Sequence, residues 1–304
     1  MAYVYSPSAS LPRPVRLPVR YVRQALSTWR LLEERRPRVV LVTNPPVVAP
    51  LTVWVWCALR RANWVLDNHS GTFLDPRWRW ALPIQRWLAR RALRSIVLNG
   101  DELRLSEDPK ARVALVPDGV PHFEETREGT SPGKPFTVVV VCGGWRNEPV
   151  GEILEACALL PEVRFLLTGD ADELPERVRD CATANVEFTG YLRGEEYANC
   201  LRSSDAGMVL SLRNDLSAGA FECLGMGLPM ILSDWPNPRE HFEEAAVFVE
   251  CDATGIAEGV SRVRNSYPAM RRNVETVRRR RREDWTRHFG PVRHAVEQKA
   301  RGLS

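Results

Sequence analysis

Short runs of β-branched and aliphatic residues alternate along the chain with longer stretches whose apolar positions recur every three or four residues. In the first half this periodicity predicts a helix from about Tyr21 to Glu34, a strand RVVLVTN ending at Asn44, a helix from Ala49 to Arg60 and a strand ANWVLDNHS. A Trp- and Arg-rich helical segment from Trp78 to Arg94, strand SIVLN, a short helix and strand RVALVPDG complete the series. Residues 124–135, EETREGTSPGKP, interrupt it with a polar, aperiodic linker. Beyond the linker, strand FTVVVVCGG leads into helix Pro149–Leu160, strand VRFLLTGD, helix Leu174–Cys181 and strand VEFTGYL. Helix Glu195–Ser203, strand AGMVLSL, helix Gly219–Gly225 and strand MILSD follow, and the Arg-rich end reads as a terminal helix. Such alternation builds parallel sheets with crossover helices. The expectation is an α/β protein with one βα-repeating domain over residues 1–123, a second over 136–277 and a helical tail over 278–304. Ligands of two such domains bind in the cleft at the strand carboxyl ends.

Length supports this division, since 304 residues exceed one ordinary core and suit two domains. With 44% hydrophobic and 26% charged residues, disorder and a fibrous chain are excluded. The net charge of +4 is carried almost wholly by arginine, Lys110, Lys134 and Lys299 being the only lysines. An excess of this size suits an anionic ligand or a membrane surface and gives no reason to expect nucleic acid. Seven cysteines, odd in number and without a CxxC, indicate reduced thiols in a cytoplasmic protein rather than a disulfide framework or zinc site. No secretory signal is visible, and the longest apolar stretch, Val47 to Leu59, is broken by Pro50 and falls short of the roughly 20 residues that span a bilayer.

Candidate chemistry concentrates in residues 214–234, NDLSAGAFECLGMGLPMILSD. A polar loop opens a small-residue helix at Ser217, Ala218 and Gly219, Glu222 follows on its first turn, and MIL forms a buried strand. Unsatisfied N–H groups at such a helix start make an anion site, and a carboxylate just inside it grips the hydroxyls of whatever carries the anion. That pairing points to a nucleotide diphosphate attached to a further group. A lone glutamate there is otherwise no more than a favourable charge near the helix dipole. Gly143 and Gly144 form a tight strand-to-helix turn where Arg146 either meets a phosphate or is a surface arginine. The spacing is not G-x-G-x-x-G, so a nicotinamide or flavin site has no support. Gly169 and Gly190 each end a strand and permit a tight turn or the approach of a flat base.

In LDNHSGTF, Asp67 and His69 lie on the same side of an extended chain. They are placed to take a proton from a hydroxyl, or His69 to contact a donor sugar or phosphate; the alternative is a capped turn over Asp67–Ser70. The segment PRWRWALPIQRWLARRALRS sets Trp78, Trp80 and Trp87 beside six arginines. It suits anionic lipid headgroups, or equally a core-packed helix with a basic side. The Arg278–Arg282 run reads as a solvated helix face.

The segments VALVPDGVP, LLTGD, VEFTGYL, SSDAGMVLSL and ECLGMGLPMILSD, in that order and spacing, resemble the second domain of family-4 GT-B glycosyltransferases (glycosyl transferases group 1) over roughly Val113 to Asp234. The resemblance implies two Rossmann-like α/β domains facing across a cleft. It implies that Glu222, matching the second acid of the family's E-x7-E motif, holds the ribose hydroxyls. Backbone N–H groups of Ser217, Ala218 and Gly219 would meet the diphosphate, with Gly144, Arg146 and Gly169 completing the donor site and Tyr191 and Leu192 near the base. The first acid's position, eight residues before Glu222, is occupied by Asn214, an amide that can still hydrogen-bond a sugar hydroxyl. No lysine follows Arg146 where the family places one. The family's opening strand and Gly-rich loop have no counterpart in MAYVYSPSASLPRPVRLP, so the first domain is expected to be shortened at its N-terminus.

The expected activity is transfer of a sugar from a nucleotide diphosphate-sugar co-substrate to a hydroxyl acceptor, either lipid-linked or a cell-surface glycan precursor. Asp67 or His69 would serve the acceptor. No D-x-D pair stands in a suitable loop, so no metal and no further cofactor is expected. The protein would work in the cytoplasm, at the inner face of the membrane if the acceptor is lipid-linked. Two alternatives remain open: a non-catalytic subunit that binds a nucleotide sugar or a partner glycosyltransferase, and a nucleotide-sugar epimerase of the same architecture.

Overall fold

The structure, a computed structural model, describes residues 13–69, 71–74, 76–98, 100–106, 108, 110–124, 132–143 and 147–302. The chain divides into two units, Met1–Asp118 together with Asp284–Ser304, and Gly119–Glu283.

In the first unit α1 (Arg13–Arg35) precedes the parallel strands β1 (Val39–Asn44), β2 (Asn63–Asn68), β3 (Arg94–Val97) and β4 (Val113–Leu115), which lie side by side in that order. The connections are α2 (Val48–Arg60), then α3 (Gly71–Leu74) with α4 (Leu82–Ala89), and α5 (Gly100–Ser106). Sequential parallel strands joined by right-handed crossovers place their helices on one face. That face buries Leu32, Val42, Trp56, Leu66 and Leu88 together. The helix expected from Trp78 to Arg94 is instead a 3-10 turn, Pro76–Ala81, followed by α4, and Arg94 already belongs to β3. Pro83 explains the break, because a residue without an N–H fits only the first turn of a helix.

The second unit contains β5 (Phe136–Val140), α6 (Val150–Ala158), β6 (Val163–Thr168), α7 (Glu176–Arg179), β7 (Val186–Gly190), α8 (Glu195–Ser203) and β8 (Ala206–Val209). It continues with α9 (Ala218–Met226), β9 (Met230–Ser233), α10 (Pro236–Phe242), β10 (Ala246–Val249), α11 (Ala253–Asn265) and the start of α12 (Tyr267–Ala300). The six strands are parallel in the order β10-β9-β8-β5-β6-β7. The chain builds outward from β5 through β6 to β7, then returns to place β8 on the other side of β5. Val138 and Val140 face a cluster with Ile153, Leu154 and Val260, while Val139 faces another with Leu201, Phe221 and Leu224. Strands covered on both faces read as unbroken apolar runs, which is why the sequence reveals them. The helix expected over Leu174–Cys181 shrinks to α7, which starts after Pro175. Between Asp234 and the tail, where sequence reasoning assigns no element, α10, β10 and α11 form.

One helix, α12, contributes to both units. Met270, Val274 and Val277 pack into the second unit's clusters, and Trp285, Phe289 and Val292 pack with Val65 and Ile96 of the first. The Arg278–Arg282 run is more than the solvated face expected. Arg278 donates to the Gly225 carbonyl at 3.2 Å, Arg282 to the Pro121 carbonyl at 2.9 Å, and Arg280 pairs with Glu243 at 2.6 Å. These bonds explain why residues 119–123 and 278–283 group with the second unit. All seven cysteines are unpaired, and no described helix is long and apolar enough to cross a membrane.

Candidate functional site

Open α/β sheets bind ligands outside the strand carboxyl ends where the strand order reverses, here between β5 and β8. The helix α9 begins at that point. Ser217 precedes it in an extended conformation, its Oγ accepting from the Gly219 N–H at 3.3 Å. A side chain at Gly219 could be accommodated only by a shift of its surroundings, because a Cβ would lie 2.6 Å from Val141 Cγ1. The first turn of α9 therefore lies directly against the chain leaving β5. The Ala218 N–H has no acceptor within the helix, while that of Gly219 donates to the Ser217 cap.

Glu222 is in the second turn of α9, and the first turn carries no acidic residue. The first-turn placement expected from sequence is thus corrected: the helix starts at Ala218, and the dipole is not what holds this carboxylate. Its Oε2 accepts from the hydroxyl of Tyr197 on α8 at 2.7 Å. Burial first, then the neighbouring Cys223 and Glu222, push the Tyr197 phenol far above its ordinary range, so it remains a donor. With Oε2 held, the carboxylate plane is fixed and Oε1 can accept from a ligand hydroxyl.

Gly169 and Gly190 end β6 and β7 with φ of +103° and +73°, and the Gly169 N–H donates to the Gly190 carbonyl at 3.0 Å. Glycine adopts this left-handed backbone without steric cost. Tyr191 follows, 71% exposed, with the Arg193 guanidinium 5.2 Å from its ring centroid. Its ring is an open aromatic face of the kind a base stacks on. Leu192 is partly buried against the cluster around Phe221.

Gly144 and Arg146 lie outside the described residues. The turn leading to them already contains a carboxylate. Glu148 Oε1 accepts from the Gly143 N–H at 3.2 Å, and its Oε2 is shielded from solvent with no partner among the described residues. Asn214 is also engaged: its Oδ1 accepts from the Asn237 N–H at 2.9 Å, and its carbonyl from Asn237 Nδ2 at 3.1 Å. It therefore satisfies a free N–H at the start of α10, leaving its NH2 and one lone pair of Oδ1 for a sugar hydroxyl. The crevice lined by Arg213, Ser217 and Trp235 has about 20 Å³ of free space, room for a single water.

In the first unit, Asp67 and His69 stand at the carboxyl end of β2 with Nε2 3.6 Å from Oδ2. The close Asp67 carboxylate raises the His69 pKa above its ordinary 6.5, partial burial opposes this, and the charges of Asp118 and Glu102 add to the rise. Beneath them lies a buried amide network. Asn68 Nδ2 donates to Ser95 Oγ at 3.0 Å and the Ile96 carbonyl at 2.9 Å. Its Oδ1 accepts from Asn44 Nδ2 at 3.2 Å and Gln85 Nε2 at 3.3 Å, so every bonding position of this amide is filled. The Asn44 carbonyl in turn accepts from the His69 N–H at 2.9 Å and Thr72 Oγ1 at 2.7 Å.

Residues 136–266 match the family model described as glycosyl transferases group 1. The chain carries a group 1 glycosyltransferase domain. Among solved structures, sucrose-phosphate synthase from Thermosynechococcus elongatus superposes with a TM-score of 0.60 at 17% identity, over 96% of this chain and 80% of that one. The pneumococcal O-GlcNAc transferase, in complex with UDP and GlcNAc, gives 0.62 at 14% identity over 89% of this chain, which spans 59% of that protein. A Listeria monocytogenes protein described as a UDP-N-acetylglucosamine 2-epimerase gives 0.54 at 13% identity, over 84% of this chain and 72% of that one. At these identities the likeness is one of fold, the paired parallel sheets of GT-B glycosyltransferases. No match is found among curated protein sequences.

Within the group 1 domain, Gly169, Tyr191, Ser217, Ala218, Gly219 and Glu222 follow the carboxyl ends of β6, β7 and β8, three strands of one sheet, with β5 between β8 and β6. Sequence reasoning missed Tyr197 and Glu148. Tyr197 shares a helix face with Leu201, which signals burial but not the carboxylate it meets. Nothing in the sequence signals that Glu148 folds back onto Gly143.

Proposed function

We propose that this protein transfers a glycosyl group from a nucleotide diphosphate-sugar to a hydroxyl acceptor, without a metal ion. The observation that carries the reading is the start of α9 pressed against the end of β5, with Glu222 held in one orientation by Tyr197. In this reading Oε1 of Glu222 accepts from a ribose hydroxyl, and the base lies on Tyr191. The diphosphate meets the Ala218 N–H, the amino end of α9 and Arg146, which together stabilise its departing charge. The bond from the anomeric carbon to the phosphate oxygen breaks, a bond to the acceptor oxygen forms, and the acceptor's proton passes to the Asp67–His69 pair. The acceptor is a glycan or lipid-linked precursor reached on the cytoplasmic side. Contact with the membrane surface would fall to Trp80, 63% exposed, since Trp78 and Trp87 are committed to packing.

A second reading is a non-catalytic donor-binding subunit. It is favoured by Glu148 occupying the Gly143 N–H and by Asn214 being tied to Asn237. Donor hydrolysis and transfer assays on the wild type, Glu222→Ala and Asp67→Asn separate the two. Turnover lost in both variants supports the transferase; full turnover in both sinks the site assignment. Tight nucleotide binding without turnover in the wild type establishes the subunit.

A further inference from the structure

At the amino end of the first unit's sheet, three helices terminate together: α1 at Arg35, α2 at Arg60 and α12 at Ala300. They enclose a groove of about 540 Å³ lined by Arg36, Arg38, Arg60, Arg61 and Lys299, with Trp56 in its wall. The volume is that of a small-molecule site, and the lining is dominated by cations. We propose that this groove binds a phosphate-bearing anion.

Cations at helix carboxyl ends have an ordinary role, complementing the dipole. Two of the five do such local work. Arg38 Nη1 donates to the Ala300 carbonyl at 2.7 Å, and Arg60 forks onto Glu33 with both oxygens at 2.8 Å. The head groups of Arg36, Arg61 and Lys299 make no ion pair or hydrogen bond among the described residues. Arg36 and Arg61 also hold left-handed backbone, φ 43° and 55°, positions that usually fall to glycine. A glycine at either site would satisfy the chain and carry no charge. Three cations with no ion-pair partner among the described residues share one concavity, only Arg36 feeling the charge of Glu33, and a multiply charged oxyanion relieves their repulsion through charge-assisted hydrogen bonds.

The groove is separate from the proposed reaction centre. Asn63 lines it, whereas Asp67 stands four residues further along β2, about 13 Å away in an extended strand. A phosphate bound here anchors or regulates the protein from the opposite end of the sheet. Inorganic pyrophosphate and a phospholipid headgroup share the chemistry.

Trp56 supplies the reporter, because its indole N–H donates to Glu33 Oε1 at 3.0 Å within the groove wall. The full chain, labelled at its indoles, is titrated with pyrophosphate against sodium chloride of equal ionic strength, following the Trp56 indole resonance. The expected result is a saturable shift with pyrophosphate only, weakened at least about tenfold in Arg36→Gln/Arg61→Gln/Lys299→Gln. Flotation with phosphatidylcholine vesicles, with and without phosphatidylglycerol, distinguishes the sources. Retention by phosphatidylglycerol that is lost in the variant and competed by pyrophosphate assigns a lipid headgroup; a shift without retention assigns a soluble phosphate. No shift at Trp56, or an equal shift in a variant whose thermal melt matches wild type, overturns the proposal. If the triple variant does not fold, Arg61→Gln alone, with the same readout, takes its place.

Discussion

In the second unit β5 is buried along its whole length, whereas β1, at the edge of the first unit's sheet, alternates and leaves Leu41 52% exposed. Parallel sheets are normally covered on both faces, and β5 meets that rule while β1 is covered on one. The candidate groups in the two units are held in correspondingly different ways. In the second unit backbone meets backbone or a stiff side chain: Gly219 against Val141, and Gly225 with a Cβ position 2.6 Å from the Pro121 carbonyl. In the first unit the loop bearing Asp67 and His69 is held by hydrogen bonds, through the saturated amide of Asn68 and the shared carbonyl of Asn44. Packing fixes the proposed donor side, and a polar network fixes the proposed acceptor side. The two should therefore fail differently.

The largest expected effect is on chemistry in the first unit. Removing a general base costs about 10²–10⁴-fold in turnover, so His69→Ala and Asp67→Asn should fall in that range in a transfer assay. His69 titrates above 6.5 in the folded chain, and a neutral imidazole is the base, so kcat/KM should rise with pH through that elevated value. Asp67→Asn should move the rise down toward the ordinary value. Stability has the opposite slope. The imidazolium–Asp67 attraction is complete below the unfolded value of 6.5 and is lost as pH climbs through the folded one, so thermal melts of wild type and Asp67→Asn should converge at high pH. A pH–rate profile unchanged by Asp67→Asn would remove His69 from the reaction.

Gly219→Ala tests the packed side. The new methyl meets a β-branched neighbour that cannot rotate away, and overpacking of this kind costs about 1–3 kcal/mol by chemical denaturation. Nucleotide affinity should fall while the His69 titration stays in place. Asn68→Ala is the counterpart in the first unit. It strands the Asn44 and Gln85 amides at a cost of about 1–3 kcal/mol, partly offset if water enters. Its distinguishing consequence is a displaced His69 titration by NMR with nucleotide binding unchanged. If Asn68→Ala leaves the His69 titration where it was, the network does not position the loop.

Much of this architecture was legible in the chain, for reasons visible in particular elements. β5, β6 and β8 are covered on both faces and stand out as apolar runs, and α9 is marked by small residues that its close approach requires. The Trp78–Arg94 segment misleads because its amphipathic spacing outweighs Pro83, a residue that in fact sets where α4 begins. Glu222 stands out by type and spacing, but its place in the second turn of α9 is not legible, because the helix boundary depends on the Ser217 cap. Tyr197 could not be paired with Glu222 from sequence, since α8 and α9 meet only in the fold. The Asn214–Asn237 bond and the return of Glu148 onto Gly143 are likewise tertiary facts. Alternation puts Asp67 and His69 on one side of the extended chain at the end of β2, but the polar groups beneath them come from β1, β2, α4 and β3 and converge only when the sheet forms.

The central claim is that the α9 start with Glu222 holds a nucleoside diphosphate. Calorimetric titration of the intact chain with uridine, guanosine, adenosine and thymidine diphosphates tests it without reference to any acceptor. The account predicts saturable binding of at least one, weakened about 10- to 100-fold by Glu222→Gln, the range of a hydrogen bond to a charged group. Binding of none to the wild type, or equal binding by Glu222→Gln, would contradict it.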